Sequence, residues 1–418
     1  MRRRWWIIAL LFLSTVLNYV DRQTLSVLVR TIQTDLHFSD MDYAKVVQGF
    51  LLAYTVAYLV VGRVTDRLGT RWSMALFLGW WSVANLFTGF ARSLRELSVC
   101  RFFLGLGEAG NYTAGPKAVG EWFEPKERGL AVGIYTAGAM VGATIAPPMI
   151  VWLGTSYGWR AAFFSTGIIG LVWLVPWLLV YRLGPFAEGE YAASVPEMQL
   201  WRLVLTNRSA WLLMFARMLS DPVWYFYLFW FPKYLMDGRG RTLAEVGKIA
   251  WIVYLAADFG SVIGGWCSGP LIRRGMEPIP ARLRVMTFAA LIAPAGCLIG
   301  FGVSLPIVLA LAAVVVFAHL TWQVTMGALI VDIYPKITMA TAFGFIAAGS
   351  GFGGMLSTVA IAWLVMHISY RPAFLLMALL HPLALLLARQ VEASSEEQRA
   401  SSLADVPRSN SPDEENPG

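Results

Sequence analysis

Charged side chains are scarce in this sequence, at 14% of 418 residues, while 57% of the residues are apolar. Soluble domains carry roughly a quarter charged residues, so this balance excludes a soluble core. Histidine and cysteine are scarcer still. The four histidines, His37, His319, His367 and His381, are scattered, and no His/Cys spacing suits a zinc site. With no P-loop and no nucleophile elbow either, ATP-driven pumping and hydrolysis lack their parts, and no cofactor, metal ligand or catalytic residue is assigned. An enzyme or receptor embedded in the membrane would need a catalytic cluster at one interface, which these histidines do not make. Cys100, Cys267 and Cys297 all fall in apolar stretches, as packing thiols do.

What fills the chain instead is apolar windows of about 20 residues, each long enough to cross a ~30 Å hydrocarbon layer. They predict an all-α integral membrane protein with twelve spans, near 5–29, 44–63, 72–91, 95–120, 129–153, 160–181, 208–235, 247–270, 284–304, 306–333, 339–366 and 371–389. The first span follows MRRRWW, lacks a small-residue cleavage pattern and exceeds the h-region of a signal peptide, so it is expected to be a retained helix. With a cytoplasmic N-terminus, the inside loops hold Arg2, Arg3, Arg4, Arg63, Arg67, Arg71, Lys126, Arg128, Arg273, Arg274, Arg282 and Arg284. Outside loops then hold roughly half as many basic residues, which places both termini inside. The net charge of +7 follows from that topology, with the lipid bilayer as partner and no nucleic acid.

A polar stretch at 183–207 separates six spans from six, and the chain from 391 to 418 is too poor in apolar residues to fold. The expected organisation is therefore an N-terminal bundle (1–182), a cytoplasmic linker (183–207), a C-terminal bundle (208–390) and a disordered cytoplasmic tail (391–418). The halves echo each other. GRVTDRLGTR (62–71) follows span 2 and GWCSGPLIRR (265–274) follows span 8, while FEPKERGLAVGIY in the first half is echoed by IYPKITMATAFGF in the second. Inexact repeats at matching positions suit two bundles rocking about a central site better than a continuous pore.

These residues resemble the major facilitator superfamily over the chain up to about residue 390. Gly62, Asp66, Arg67, Gly69 and Arg71 match its loop motif GxxxDRxGxR, and the second copy has Gly269 in place of Asp66. Only one copy is thus expected to form a charge clamp. The segments NYVDR (18–22), RFFLGLGEAGNYTAGPK (101–117) and DPVWYFYLFWFPKYL (221–235) look like its anion:cation symporter family, and the last looks most like bacterial hexuronate carriers. Close relatives of those carry aldonates, aldarates, aromatic acids or tartrate. The resemblance implies a bacterial inner-membrane carrier, working as a monomer, with Asp66, Arg67 and Arg71 at a cytoplasmic gate.

An ionisable side chain at mid-bilayer costs at least ~2.5 kcal/mol, so each one should be paired or functional. Span 1 offers Asp21 and Arg22; span 4 offers Arg101, Gly105, Glu108 and Tyr112 as one helical stripe, with Gly107 and Gly110 allowing close helix approach. At 1.5 Å per residue, Asp21 and Arg101 lie level, about 10–12 Å below the outer ends of their spans, and Glu108 lies about 10 Å deeper than Arg101. An Asp21–Arg101 pair is expected, with Asp21 and Glu108 handling protons, a role the family resemblance also implies. Arg22 points about 100° away from Asp21 and, with Tyr19, is the expected anchor of a substrate carboxylate. The plainer alternative is a structural Arg22–Glu108 salt bridge, with both acids merely neutralising the arginines and transport facilitated.

Tyr54, Arg101, Tyr225, Tyr227, Trp230 and Gln323 are further candidates for substrate contact. Asp221-Pro222 is expected to break span 7 beside an Arg217–Asp221 pair, and Asp258 and His319 also fall at membrane depth. GLGEAG (105–110) fits a dinucleotide fingerprint and Asn111-Tyr112-Thr113 a glycosylation site, but both lie inside an apolar helix and are rejected. The expected activity is import of a small organic anion, such as a hexuronate or aldonate, by proton symport with alternating access. Sodium coupling, facilitated flux of another carboxylate and outward flux stay open.

Overall fold

The computed structural model describes residues 2–186, 197–242, 245, 246, 249 and 251–404, and among these every regular element is helical. The first half contains α1 (Arg2–Leu36), α2 (Asp40–Gly89), α3 (Leu94–Glu108), α4 (Asn111–Trp122), α5 (Pro125–Tyr157) and α6 (Trp159–Val180). A short α7 (Glu197–Leu205) falls inside the expected linker, of which residues 187–196 lie outside the described ones. The second half contains α8 (Arg208–Tyr225), α9 (Phe231–Asp237), α10 (Trp251–Arg273), α11 (Pro278–Ile292), α12 (Leu305–Ile333), α13 (Met339–His367) and α14 (Tyr370–Ala404). Helix α14 thus continues past Val391 into the expected tail, whose residues 405–418 lie outside the described ones.

Among the described residues, seven helical stretches are long and apolar enough to cross a membrane. One of them, Lys45–Gly89, has 45 residues. At 1.5 Å per residue it would measure about 68 Å, over twice the hydrocarbon thickness, so it has to turn. It turns at Gly69, whose φ of 73° and ψ of 160° suit a residue without Cβ. The loop motif therefore separates two crossings, and the stretches outside the seven are those with buried charges, helix breaks or many glycines. The arrangement is consistent with twelve spans.

Two expected helices are locally different. Span 4 divides into α3 and α4 at Ala109–Gly110, where the turn packs on the second arm of α2: a Cβ at Gly110 would lie 2.1 Å from the Phe77 ring, and one at Gly107 would lie 2.6 Å from Trp80. Span 7 does not break at Pro222. Helix α8 runs through it to Tyr225, and the backbone widens instead into a π-helical turn over Phe226–Trp230 before α9. The wide turn lies just before Pro232, which has no N–H to offer the Leu228 carbonyl one turn back and whose ring crowds it, so the hydrogen bonding there shifts.

The halves meet along two seams near the end of the molecule that bears loop 62–71. On one, α2 meets α13: a Cβ at Gly62 would lie 2.2 Å from Ala340 O, and one at Gly344 would lie 2.2 Å from Tyr58 O. On the other, α5 meets α10, with a Cβ at Gly129 2.2 Å from Gly265 O and one at Gly133 2.3 Å from Ser261 O. At these points backbone lies directly on backbone. A continuous apolar core that includes Leu11, Trp81, Tyr135, Trp322 and Ala347 joins the halves behind both seams.

Candidate functional site

Helix α1 presents two faces to the interior. On one, Asp21 is fully buried, and its Oδ1 accepts a 2.7 Å hydrogen bond from Asn85 Nδ2. Asn85 Oδ1 in turn accepts from Arg101 Nη2 at 3.0 Å, and Arg101 Nη1 reaches only the backbone O of Asp21, at 3.3 Å. The expected Asp21–Arg101 carboxylate pair is therefore corrected: an amide stands between the two charges. A side-chain amide donates to one neighbour and accepts from the other, so Asn85 joins them without direct contact. The link leaves Asp21 Oδ2 and Arg101 Nε buried without a hydrogen-bond partner among the described residues.

On the other face, Arg22 donates through Nε (2.9 Å) and Nη2 (2.8 Å) to one oxygen of Glu108, Oε2, while Oε1 is buried and unpartnered. The geometry of the plainer alternative, an Arg22–Glu108 salt bridge, is thus present. Yet the two partners are unequal, with the Arg22 side chain 29% exposed and that of Glu108 fully buried. The guanidinium carbon lies 4.7 Å from the Tyr54 ring, 5.2 Å from Tyr19 and 5.4 Å from Phe50. Three ring faces and Asn18 Oδ1, 3.3 Å from Nη2, hold the cation in place with its rim accessible.

Across from this cluster the second half supplies weaker groups. Tyr225 shares a 3.2 Å hydrogen bond with Ser350 on α13, while in the first half Tyr54 shares one of 2.8 Å with Tyr58 on its own helix, α2. Trp230 and Gln323 are partly buried. Tyr227, by contrast, points into the second-half core against Phe226, Phe231 and Phe374, which removes it from the candidate contacts. Arg217 and Asp221 pair at 2.9 Å, one turn apart on α8. His319 and His381 face each other at 3.3 Å in the same core, so His319 lies behind the candidate site and not in it. Asp258 is half-buried, with Oδ1 unpartnered among the described residues.

The gate candidates divide. Asp66 accepts from Lys117 Nζ at 2.7 Å, from the backbone N–H of Ala340 (3.2 Å) and Thr341 (2.7 Å), and from Thr341 Oγ1 (2.6 Å). Those amides belong to the first turn of α13, whose own N-cap residue, Thr338, makes no side-chain cap. A carboxylate from the other half thus caps this helix, where orphan N–H groups and the helix dipole favour an anion. Arg71 stays within its own half, donating to Leu178 O at 2.7 Å, and Arg67 is exposed, so neither crosses the seam.

The other seam, beside the second copy of the motif, is built differently. At Gly269, where the repeat lacks the carboxylate, a Cβ would lie 2.5 Å from Lys126 O. Beside it Asp332 binds Arg128 of the other half at 2.6 Å and Arg282 at 3.1 Å, and Arg282 donates to Pro125 O at 2.5 Å. A second, differently built clamp therefore closes the α5–α10 seam. The GxxxDRxGxR echo does not point to it because none of its charges lies in either copy of that motif, although Arg128 falls within the second echoed segment. Asn85 was missed for another reason, although a lone amide inside the apolar run WSMALFLGWWSVANLF was a usable signal.

A charged cluster between α1, α2 and α3, together with a loop-motif carboxylate capping a helix of the opposite half, narrows the possible families. Residues 11–318 match the Major Facilitator Superfamily. The chain belongs to that superfamily. Among similar major facilitator proteins, the hexuronate transporter of Escherichia coli (strain K12) is 31% identical over 395 residues, covering 90% of each chain. The galacturonate transporter of Dickeya chrysanthemi is 34% identical over 279 residues, covering 63% of this chain and 81% of the relative. Major facilitator structures agree on the fold: that of FucP in the outward conformation superposes with a TM-score of 0.71 at 16% identity, covering 93% of this chain and 99% of FucP. The proton:xylose symporter XylE gives a TM-score of 0.70 at 16% identity, covering 93% and 95%.

Proposed function

We propose that this membrane transporter imports a sugar acid, of the hexuronate or aldonate class, together with protons by rocker-switch alternating access. The observation that carries the reading is Arg22: a guanidinium 29% exposed, framed by Tyr19, Phe50 and Tyr54 and held on a single oxygen of a buried carboxylate. A substrate carboxylate is the natural competitor for that guanidinium, since planar bidentate pairing is what Arg offers an anion. When Glu108 takes a proton, its hold on Arg22 weakens and the substrate carboxylate replaces it. When the substrate leaves, Arg22 returns to Glu108 and the proton departs. Binding of proton and anion is thereby linked, each favouring the other.

Asp21 is the second proton carrier in this scheme, with Asn85 relaying its charge state to Arg101. Tyr54, Tyr225, Trp230 and Gln323 contact the hydroxyl-bearing remainder of the substrate. Residues 1–182 and 208–390 form the two rocking bundles of a monomeric carrier in a bacterial inner membrane, with both termini cytoplasmic. Asp66 and the Arg128–Asp332–Arg282 group hold the cytoplasmic seams closed while the site faces outward. The names of the relatives support the substrate class, being transporters of hexuronate, galacturonate and D-galactonate.

Reconstituted vesicles with an imposed inward proton gradient test the scheme. Accumulation of labelled glucuronate, galacturonate or galactonate, with alkalinisation of the outer medium, is expected. Uptake that neither moved protons nor responded to the gradient would remove the coupling, and silence toward every sugar acid would remove the substrate class.

A further inference from the structure

The second arm of α2 and helix α3 diverge on the outer surface of the first half and leave a groove of about 780 Å³. Its walls are two facing helical stripes, with Gly79, Trp80, Val83 and Phe87 on α2 and Val99 and Phe103 on α3. Small side chains open it: Ala75, Gly79, Ala84 and Ala91 all line it. The stripe from Leu76 to Phe87 is about 17 Å long at 1.5 Å per residue. Trp80 is pinned across one end by a 2.9 Å hydrogen bond from Nε1 to Phe103 O. At the other end the groove runs to Ala91 and Glu96, which bracket the loop between the two helices.

Arg92 lies in that loop and Arg95 in the first turn of α3, both exposed and neither with a side-chain partner among the described residues. Glu96, the one acid on the groove, caps its own loop by accepting from Arg92 N–H at 2.8 Å. In a bilayer an apolar groove alone does not select a ligand, because every acyl chain is as apolar as the next. Arg92 and Arg95, exposed and next in sequence to the lining residues Ala91 and Glu96, do select, since guanidiniums bind phosphate through forked hydrogen bonds and favour net negative charge. We propose that this groove is a docking site for an anionic phospholipid, with one acyl chain along the α2–α3 cleft and the headgroup phosphate on Arg92 and Arg95. The site is separate from the transport cluster and stands whatever the carried substrate is.

The purified full-length chain in detergent provides the test, read by native mass spectrometry and by the shift in thermal unfolding. The probes are phosphatidylglycerol, phosphatidylcholine and inorganic phosphate. Retention of one phosphatidylglycerol in preference to phosphatidylcholine is expected, with that preference falling roughly fivefold for each of Arg92→Ala and Arg95→Ala. Gly79→Leu, which fills the cleft and leaves the arginines in place, should weaken both lipids alike. Equal retention of the two lipids, an unchanged preference in the doubly substituted chain, or protection by inorganic phosphate equal to that by phosphatidylglycerol would each overturn the proposal.

Discussion

The two halves of this transporter share a path through the membrane but hold their charges differently. In the first, Asp21, Arg22, Arg101 and Glu108 come from two different spans and meet only by tertiary packing, leaving buried polar atoms unpartnered at Asp21 Oδ2, Arg101 Nε and Glu108 Oε1. In the second, Arg217 and Asp221 are neighbours on one helical turn and neutralise each other at 2.9 Å. A pair within one helix moves as a unit and stays satisfied, whereas a pair between helices can be exchanged for a ligand. Unsatisfied buried groups are costly, and in the proposed scheme that cost is what a proton or an anion relieves at the first cluster.

Substitutions can break this contrast. The largest effect is expected from Arg22→Ala, which should lower sugar-acid binding by roughly a hundredfold or more, the worth of two charge-assisted hydrogen bonds. Binding to detergent-purified protein measures it, and the double substitution of Arg217 and Asp221 to Leu and Asn should stay within about tenfold of wild type. Glu108→Gln comes next: counterflow exchange should persist while accumulation against a gradient is lost, and undiminished accumulation would take Glu108 out of the coupling.

How much of this was legible beforehand differs between backbone and side chains. The apolar windows cover the seven described stretches long and apolar enough to cross, and the turn between spans 2 and 3 fell where Gly69 supplies it, because span length is set by bilayer thickness and is written directly in composition. The residues of the charge cluster were legible for the same reason, since a charge in an apolar run stands out. Their partners were not. Depth arithmetic put Asp21 and Arg101 level, but whether two level groups touch depends on helix rotation, and Asn85 occupies the space between them. The repeat revealed Asp66 and hid Asp332, whose partners come from α5 and α11. The wide turn at Phe226–Trp230 likewise lies where Pro232 disturbs the hydrogen bonding of the turn before it, and not at Asp221-Pro222.

The seams allow a subtler comparison. Asp66→Asn keeps the shape but removes the anion from the first turn of α13, a loss of about 1–2 kcal/mol. Cysteine accessibility at the end bearing loop 62–71 should rise by roughly five- to thirtyfold. Arg128→Gln should produce a similar rise at the other seam, and an effect from only one of them would mean that a single clamp holds the closed end. The smallest change is expected at Tyr225→Phe, which removes one neutral hydrogen bond to Ser350 and should alter apparent affinity by about two- to tenfold.

The glycine contacts along those seams carry a mechanical consequence. Where Gly129 meets Gly265 and Gly62 meets Ala340, backbone lies on backbone, and beside Gly129 the only side-chain atoms close by are the polar ends of Arg282 and Ser268. Two such surfaces behave like a valve and its seat: they fit closely when shut and part without first withdrawing knobs from holes. The force that keeps them shut then resides in the apolar core behind the seams and in the few buried carboxylates, guanidiniums and the Ser261 hydroxyl that bond across them. A carrier closed in this way can be tipped by the modest binding energy of one anion and one proton, and its two states can lie close in free energy without either being loosely packed.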